Sequence, residues 1–319
     1  MSFIGKSYEK VHYEFRPAKQ VERRMLLHAF HELRNLGYTI SNYEYTGLGS
    51  IYFVDFALFH RYLGLTRMTS VEGDSDIKQR VEFNCPYKLI NVVHDDMSAQ
   101  IARLSAERHH MLWLDFDSIL TEELLDTIQL AATQLSVQSI LLVTVDVEPP
   151  GRPEEGLKHW NPSTWMSQYR QEAGTFFWRG INKMDFARDA LPATNARIIQ
   201  AVINEGLRER DADFIGMFSF LYADGHRMLS VGGMIGSEED RRRIASLNRN
   251  ELFFMRDKIT DKPFPIRVPL VTRKERLYLD QNMPCTKDWS PPEFEMKADD
   301  IKDYSTIYRY YPAYAEMLL

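Results

Sequence analysis

The feature that most constrains the fold of this chain is a strict alternation of short strand-like segments with helical stretches across residues 40–146. The strand-like segments are rich in β-branched and aromatic residues, and stretches compatible with helices separate them. Alternation of this kind is produced by βαβ units, whose strands pair in parallel. The sequence therefore predicts an α/β fold with a doubly wound, mostly parallel sheet. The predicted strands are 40–46, 67–72, 88–93, 111–117 and 138–146, and the predicted helices are 51–64, 75–84, 97–108 and 119–134.

Two further patterns extend this prediction at the ends of the sheet. Residues 18–36 carry apolar side chains at spacings of three and four with charged residues between them, which predicts an amphipathic helix that Pro17 can start. Asp224-Gly225 separates two apolar runs, 214–222 and 228–235, and this dipeptide is typical of a hairpin turn. We therefore expect a sheet of seven strands whose last strand is antiparallel, with a helix in front of it.

The segment 148–182 is rich in proline and glycine and also carries Trp160, Trp165 and Trp178. Its length is typical of a lid or binding loop, and its tryptophans either stack on a planar substrate or pin the segment to the core. Beyond residue 237 the pattern is weaker, with a polar helix over 237–258 and an extended piece over 264–280. The predicted units are an N-terminal helical segment (1–37), a sheet domain containing the lid (38–236) and a C-terminal extension (237–319).

Gly47 and Gly49 follow the first predicted strand and precede a helix, with Thr46 and Ser50 on either side. Glycine lets the backbone turn sharply and approach a ligand without interference from a Cβ atom. In open α/β sheets, ligands bind at the carboxyl ends of the strands, where this turn lies. The turn is either part of a nucleotide crevice or a tight turn without a ligand, and two glycines alone do not separate these readings.

Three acids follow the second and third predicted strands. Glu72 stands about 20 residues beyond the glycines, where an acid accepts hydrogen bonds from the ribose of an adenosine ligand. Asp74 and Ser75 are better placed than Glu72 to cap the next helix. Asp95 and Asp96 are interpreted as one adenine-binding acid and one helix cap, without a preference for which is which.

Acids also end the fourth and fifth predicted strands. Asp115 and Asp117 stand at alternate positions of a strand, so their side chains point to the same side. Asp146 ends the next strand and can converge with them at the same edge. Such a set of carboxylates binds a hard cation or takes a proton, so we interpret these three acids as catalytic.

Residues 38–236 resemble the class I S-adenosylmethionine-dependent methyltransferases, whose sheet is Rossmann-like. The run 72–84 resembles their ribose-binding acid and following helix, and Leu-Asp-Phe-Asp-Ser at 114–118 resembles the fourth-strand motif of the catechol and caffeoyl-CoA O-methyltransferases. Those enzymes hold magnesium there, which implies Asp115 or Asp117 together with Asp146. With Phe-Arg-Pro-Ala-Lys-Gln-Val-Glu-Arg at 15–23, the chain is also similar to a prokaryotic group described as putative O-methyltransferases.

The sequence departs from the family pattern at three places. Tyr45 stands two residues before the first glycine, where the family carries an acid, and Ile51 replaces the third glycine. Val147 replaces the asparagine of the magnesium site, so Glu148 or a water would have to complete it. These departures leave a second hypothesis open: a methyltransferase-like subunit without catalysis, serving in nucleotide sensing or assembly, for example in a bacterial defence operon.

Charge and composition restrict the partners. The formal net charge of −6 argues weakly against a polynucleotide partner, and the chain lacks an Asn-Pro-Pro-Tyr base-flipping motif. Cys85 and Cys285 form no metal or disulfide pattern, and no apolar run reaches the length of a membrane span, so a cytoplasmic protein is expected. The expected acceptor is a small molecule or another unidentified group, and the expected protein partner is a second copy or an operon-encoded protein.

Overall fold

The computed structural model describes residues 15–148, 162–176 and 180–312, and its strands form one eight-stranded sheet in the order β3-β2-β1-β4-β5-β7-β6-β8. Only β7 runs antiparallel to its neighbours within the described chain. The predicted α/β fold with a mostly parallel sheet is confirmed. The strands are β1 Glu44–Leu48, β2 Arg67–Val71, β3 Ile90–Val93, β4 His110–Asp115, β5 Ile140–Asp146, β6 Asp213–Ala223, β7 Arg227–Gly236 and β8 Phe264–Ile266.

The strand order reverses direction at β1. After β1 the chain adds β2 and β3 on one side of it, then returns to place β4 and β5 on the other. The helices that follow β1 and β4 therefore lie on opposite faces, and a crevice opens between them at the carboxyl ends of the strands. This topology places the predicted glycine turn and the acids after β2 and β4 around one opening.

The helices are α1 Pro17–Asn35, α2 Val54–Leu63, α3 Lys78–Asn84, α4 Met97–Ile101, α5 Glu122–Gln134, α6 Pro162–Ala173, α7 Leu191–Leu207, α8 Glu238–Ala245, α9 Arg273–Gln281 and α10 Ala298–Ile307. Side chains cap several of them, because the first backbone N–H groups of a helix have no intrahelical acceptor. Thr121 caps α5, and Ser237 and Thr272 form capping boxes at α8 and α9. No helix of the described chain is long and apolar enough to cross a membrane.

Two predictions about irregular and helical segments need correction. Part of 148–182 is the helix α6, whose Trp165 is buried beside Tyr169, so this tryptophan pins the segment to the core. Trp160 and Trp178 lie outside the described residues. The helix predicted over 237–258 ends at Ala245, because Leu252 and the residues after it enter the core in a non-helical conformation. An eighth strand, β8, then pairs with β6 beyond the expected seven.

Helix α1 is buried more completely than an amphipathic surface helix. Its apolar residues, including Met25 and Phe30, pack into a core shared with residues of the C-terminal region. Three charged residues of the same helix, Lys19, Glu22 and Arg23, are at most 1% exposed. An amphipathic pattern alone would place charged side chains in water, whereas these three lie in the interior of the protein.

Candidate functional site

A crevice of about 320 Å³ lies at the carboxyl ends of β1, β2 and β4. Its volume falls at the lower end of the about 300–1,000 Å³ that small-molecule sites occupy. Gly49 and Ser50 line it from the turn after β1, Glu72 lines it from the end of β2, and Asp115 and Asp117 line it from β4. Five of the predicted site residues therefore meet at one opening.

The glycine turn owes its composition to close packing. A Cβ atom on Gly49 would lie 2.9 Å from the carbonyl oxygen of Val71, and one on Gly47 would lie 2.7 Å from the hydroxyl of Tyr45. The N–H of Gly49 donates a hydrogen bond to that carbonyl of Val71, which ties the turn to β2. Thr46 and Gly47 belong to strand β1 and do not line the crevice.

Glu72 is held with its carboxylate at the crevice wall. Its Oε1 accepts a hydrogen bond of 2.9 Å from the N–H of Asp74, while the side chain of Asp74 accepts from the N–H of Asp76. As expected from the sequence, Asp74 performs the capping role. This hydrogen bond orients the carboxylate of Glu72 at the crevice wall. Ribose binding by Glu72 stays a prediction.

Asp95 and Asp96 lie away from the crevice lining. Asp96 is the cap of α4, since its Oδ2 accepts from the N–H groups of Ser98 and Ala99 at 2.8 and 3.3 Å. Asp95 pairs with Arg103 at 2.6 Å, and this hydrogen bond lowers the pKa of Asp95 below its usual value. Adenine recognition by Asp95 stays a prediction and would require the Arg103 pair to reorient.

The carboxylate of Asp115 forms an ion pair with Lys19, a contact that the sequence did not predict. The ammonium of Lys19 lies 2.7 Å from Oδ1 of Asp115, 3.0 Å from Oε2 of Glu22 and 3.1 Å from the hydroxyl of Tyr222. It also lies 4.3 Å from the ring centroid of Trp113, a distance suited to a cation–π contact. Burial alone would raise the pKa of Asp115, but Lys19 holds it below its usual value.

The other two acids predicted to be catalytic, Asp117 and Asp146, differ from Asp115 in exposure and in their position relative to the crevice. Asp117 is exposed at the crevice rim. Asp146 is not part of the lining: its Oδ2 lies 3.2 Å from Nδ1 of His226, and burial raises its pKa. The expected convergence therefore holds for Asp115 and Asp117, while Asp146 stands beside them on β5 with His226 as its partner.

The described residues contain no group of three or more His, Cys, Asp or Glu arranged to hold a metal ion. The magnesium expectation named Asp115 or Asp117 together with Asp146, but Asp115 is paired with the ammonium group of Lys19 and Asp146 with His226. The donor set at this edge therefore does not fit the magnesium site that the family resemblance implied.

Arg23 and Asp55 form a second buried ion pair in the crevice wall that sequence reasoning missed. Nε of Arg23 donates to Oδ1 of Asp55, and both residues line the crevice together with Tyr45. Phe53, just before α2, adopts a left-handed backbone with φ of 47°. A signal for Arg23 exists in the sequence: Lys19, Glu22 and Arg23 continue the stripe formed by Leu26, Phe30 and Leu33 at helical spacing.

A protein-family model described as "Putative O-methyltransferase" matches residues 11–319. No curated protein matches the chain. Among solved structures, Trm1 from Pyrococcus horikoshii with S-adenosyl-L-methionine is 15% identical, with a TM-score of 0.43 over 76% of this chain and 60% of that chain. The N-methyltransferase NodS from Bradyrhizobium japonicum WM9 is 8% identical, with a TM-score of 0.34 over 61% of this chain and 86% of that chain. Spermidine synthase from Thermotoga maritima is 8% identical, with a TM-score of 0.35 over 71% of this chain and 64% of that chain.

Proposed function

Because the chain belongs to the putative O-methyltransferase family, we propose that its crevice binds S-adenosylmethionine and that the protein transfers the cofactor's methyl group to an oxygen of the acceptor. Family membership supports methyl transfer from S-adenosylmethionine. The oxygen acceptor and the assignment of individual residues are the parts that the proposal adds.

The observation that carries the proposal is the meeting of Gly49, Glu72 and Asp117 around one crevice at the point where the strand order reverses. Glycine at position 49 keeps the turn close to β2, and Glu72 presents a carboxylate beside it. A carboxylate in this position accepts hydrogen bonds from ribose hydroxyls. The adenosine end of the cofactor then lies at β2, and the reacting end lies toward β4.

S-adenosylmethionine supplies an electrophilic methyl group carried by a sulfonium. The protein must align the acceptor oxygen with that group and remove or offset the acceptor's proton. Asp117 is the exposed carboxylate at the crevice rim and is proposed to accept the proton. Asp115, ionised beside Lys19, is proposed to hold the anionic charge that faces the sulfonium.

Asp146 is proposed to support the acceptor side of the site from β5. Burial raises the pKa of Asp146 above its usual value, which favours uptake of a proton by this carboxyl group. Nδ1 of His226 lies 3.2 Å from Oδ2 of Asp146. Asp146→Asn and Asp117→Asn are compared through the pH profile of turnover: loss of the reaction's proton acceptor should remove the limb of the profile that reports its ionisation.

The proposal is tested by titration calorimetry of the purified protein with S-adenosylmethionine and S-adenosylhomocysteine. Glu72→Gln is expected to weaken both ligands by about 10- to 100-fold, because a charged acceptor of hydrogen bonds is lost. Glu107→Gln, at an exposed position outside the crevice, serves as the matched control and should leave both affinities unchanged. Absence of binding of either ligand to the wild-type protein would contradict the proposal.

A second candidate function is a cofactor-sensing or assembly subunit without turnover. It is favoured by Tyr45, which stands at the position where the family carries an acid. The ring of Tyr45 is buried and lies against Gly47. A cofactor-binding protein that releases no S-adenosylhomocysteine with any acceptor class, and that forms a stable complex with a second copy or a neighbouring gene product, would support this candidate.

A further inference from the structure

We propose that Arg23 of helix α1 binds the carboxylate of the cofactor's methionine moiety, so that an element outside the glycine turn holds the amino-acid end. The inference rests on the proposed function, because it concerns the same crevice and the same cofactor. It adds a binding residue and a role for the buried charges of α1.

The position of Arg23 matches the end of the crevice that the amino-acid moiety would occupy. Glu72 marks the ribose end at β2, and the crevice extends from there past β1 to β4. Arg23 lines the same crevice as Tyr45 of β1 and Trp113 of β4, and it is close enough to Asp115, at the end of β4, for its charge to lower the pKa of that carboxyl group. A cofactor whose ribose lies at Glu72 therefore directs its methionine end toward Arg23.

Arg23 has an unused hydrogen-bond donor at this place. The side chain is buried, and its Nε donates to Asp55, whereas its Nη1 has no hydrogen-bond acceptor among the described residues. Buried donors are nearly always paired in folded proteins, so an unpaired guanidinium N–H that lines a crevice is available to an acceptor supplied by a ligand. The planar fork of a guanidinium matches a carboxylate.

The N–H groups of Lys19 and Gly49, near Arg23, already contact other groups of the protein. Lys19 is not part of the crevice lining, and its ammonium group lies within 3.1 Å of Asp115, Glu22 and Tyr222. The N–H of Gly49, which could serve an anion in an open turn, is given to the carbonyl of Val71. Within the described crevice wall, Arg23 is therefore the cation with a donor left for a carboxylate.

The first experiment uses the wild-type protein and two ligands that differ only in the carboxylate. S-adenosylhomocysteine and its decarboxylated analogue share the adenosine and the amino group. Titration calorimetry should give about 10- to 100-fold weaker binding of the decarboxylated analogue, the value of a hydrogen bond to a charged group. Equal affinities would overturn the inference, whereas failure of both ligands to bind would overturn the proposed function itself.

The second experiment tests whether Arg23 causes the difference in affinity between S-adenosylhomocysteine and its decarboxylated analogue. In Arg23→Gln the affinity for S-adenosylhomocysteine should fall to that of the decarboxylated analogue, whose own affinity should change little. Arg34→Gln removes the same charge from an exposed position of the same helix and should preserve the full difference. If Arg23→Gln retains the difference, another group binds the carboxylate and the inference is wrong.

Arg23→Lys keeps the inference testable if Arg23→Gln does not fold. An ammonium retains the charge but lacks the two-pronged geometry of a guanidinium, so the difference between the two ligands should shrink without disappearing. A difference equal to that of the wild-type protein would overturn the assignment.

Discussion

The ammonium group of Lys19 connects helix α1 to the acidic edge of the sheet. It is fully buried, and burial alone would lower its pKa, but Asp115 and Glu22 raise it above the usual value. The group therefore carries its charge at neutral pH. A buried charge of this kind is stable only while its partners are present.

Replacement of Lys19 by methionine is expected to lower the free energy of unfolding by about 3–5 kcal/mol, because Asp115 and Glu22 would be left without their cation. Urea unfolding followed by far-UV circular dichroism measures this. Lys78→Met, at a position 55% exposed, is the control and should cost less than about 0.5 kcal/mol. Equal costs at the two positions would contradict the structural role of Lys19.

The carboxyl group of Asp115 predicts a pH dependence of stability. Burial opposes its ionisation, but the adjacent cations hold its folded pKa below the value of about 3.9 that it has in the unfolded chain. Such a group contributes stability that is complete above the unfolded pKa and is lost as the pH falls through the folded pKa. The stability difference between wild type and Asp115→Asn should therefore be constant above about pH 5 and shrink below about pH 4.

Urea unfolding of both proteins between about pH 3 and pH 7 measures that difference. Asp211→Asn, at an exposed position, is the control. Its free energy of unfolding should differ from that of the wild type by the same small amount at every pH in this range. A difference for Asp115→Asn that stays constant down to the lowest pH would mean that Lys19 does not depress the pKa.

At the residue scale, the sequence was informative wherever a residue follows a strand directly. Gly49, Glu72 and Asp115 could be placed at one edge because the ends of parallel strands meet there. Helical spacing places Arg23 on the apolar stripe of α1, but its position in the crevice depends on how α1 packs over the sheet, which local spacing does not determine. The same reasoning explains why Asp96 could not be separated from Asp95: both follow β3, and only the backbone of α4 decides which one is the cap.

At the scale of elements, helix α1 begins with a cap that comes from a distant part of the chain. Its own N-cap residue, Arg16, makes no side-chain capping bond. The carboxylate of Asp224, in the turn between β6 and β7, instead accepts from the N–H groups of Ala18 and Lys19 at 3.0 and 2.9 Å. The hairpin thereby fixes the first turn of the helix that carries Arg23.

Asp224→Ala is expected to cost about 1–2 kcal/mol of stability, as for other lost helix caps. It should also weaken S-adenosylhomocysteine binding, because the first turn of α1 carries Lys19 and precedes Arg23. Asp211→Ala serves as the control for stability and for calorimetry. If Asp224→Ala is less stable but binds S-adenosylhomocysteine with unchanged affinity, the cap does not contribute to cofactor binding.

The elements that the sequence predicted well are those with strong local signals. The strand β5 is nearly continuous in apolar residues and was placed within two residues of its observed start. The helix predicted over 237–258 was too long because the spacing of its polar residues continues past Ala245, whereas the burial of Leu252 and Phe254 decides the backbone there. The extended piece predicted over 264–280 holds only for the three residues of β8, which pair with β6, and the helix α9 occupies its end from Arg273.

At the scale of the whole molecule, the C-terminal region packs on helix α1 from the side opposite to the crevice charges. Nδ1 of His28 lies 2.7 Å from the hydroxyl of Tyr310, and Arg24 donates to the carbonyl of Tyr311. The ring of Tyr310 contacts Phe253 and Phe254. These contacts make the C-terminal residues part of the core that supports α1, so we expect the sheet and the C-terminal region to unfold together.

Tyr310→Ala is expected to lower stability by about 3–5 kcal/mol, the usual cost of removing a buried aromatic ring. Tyr62→Ala, at a ring 58% exposed, is the control. Tryptophan fluorescence and far-UV circular dichroism should report one coincident transition in both variants, as for a single cooperative unit. A separate early transition in Tyr310→Ala would mean that 237–319 unfolds independently of the sheet.

The most direct test of the whole account is a crystal structure of the protein with S-adenosylhomocysteine. The ligand should lie across the carboxyl ends of β1, β2 and β4, with its ribose hydroxyls within hydrogen-bond distance of Glu72 and its carboxylate within hydrogen-bond distance of Arg23. A ligand bound elsewhere, or bound in this crevice with its ribose away from Glu72, would contradict the proposed site.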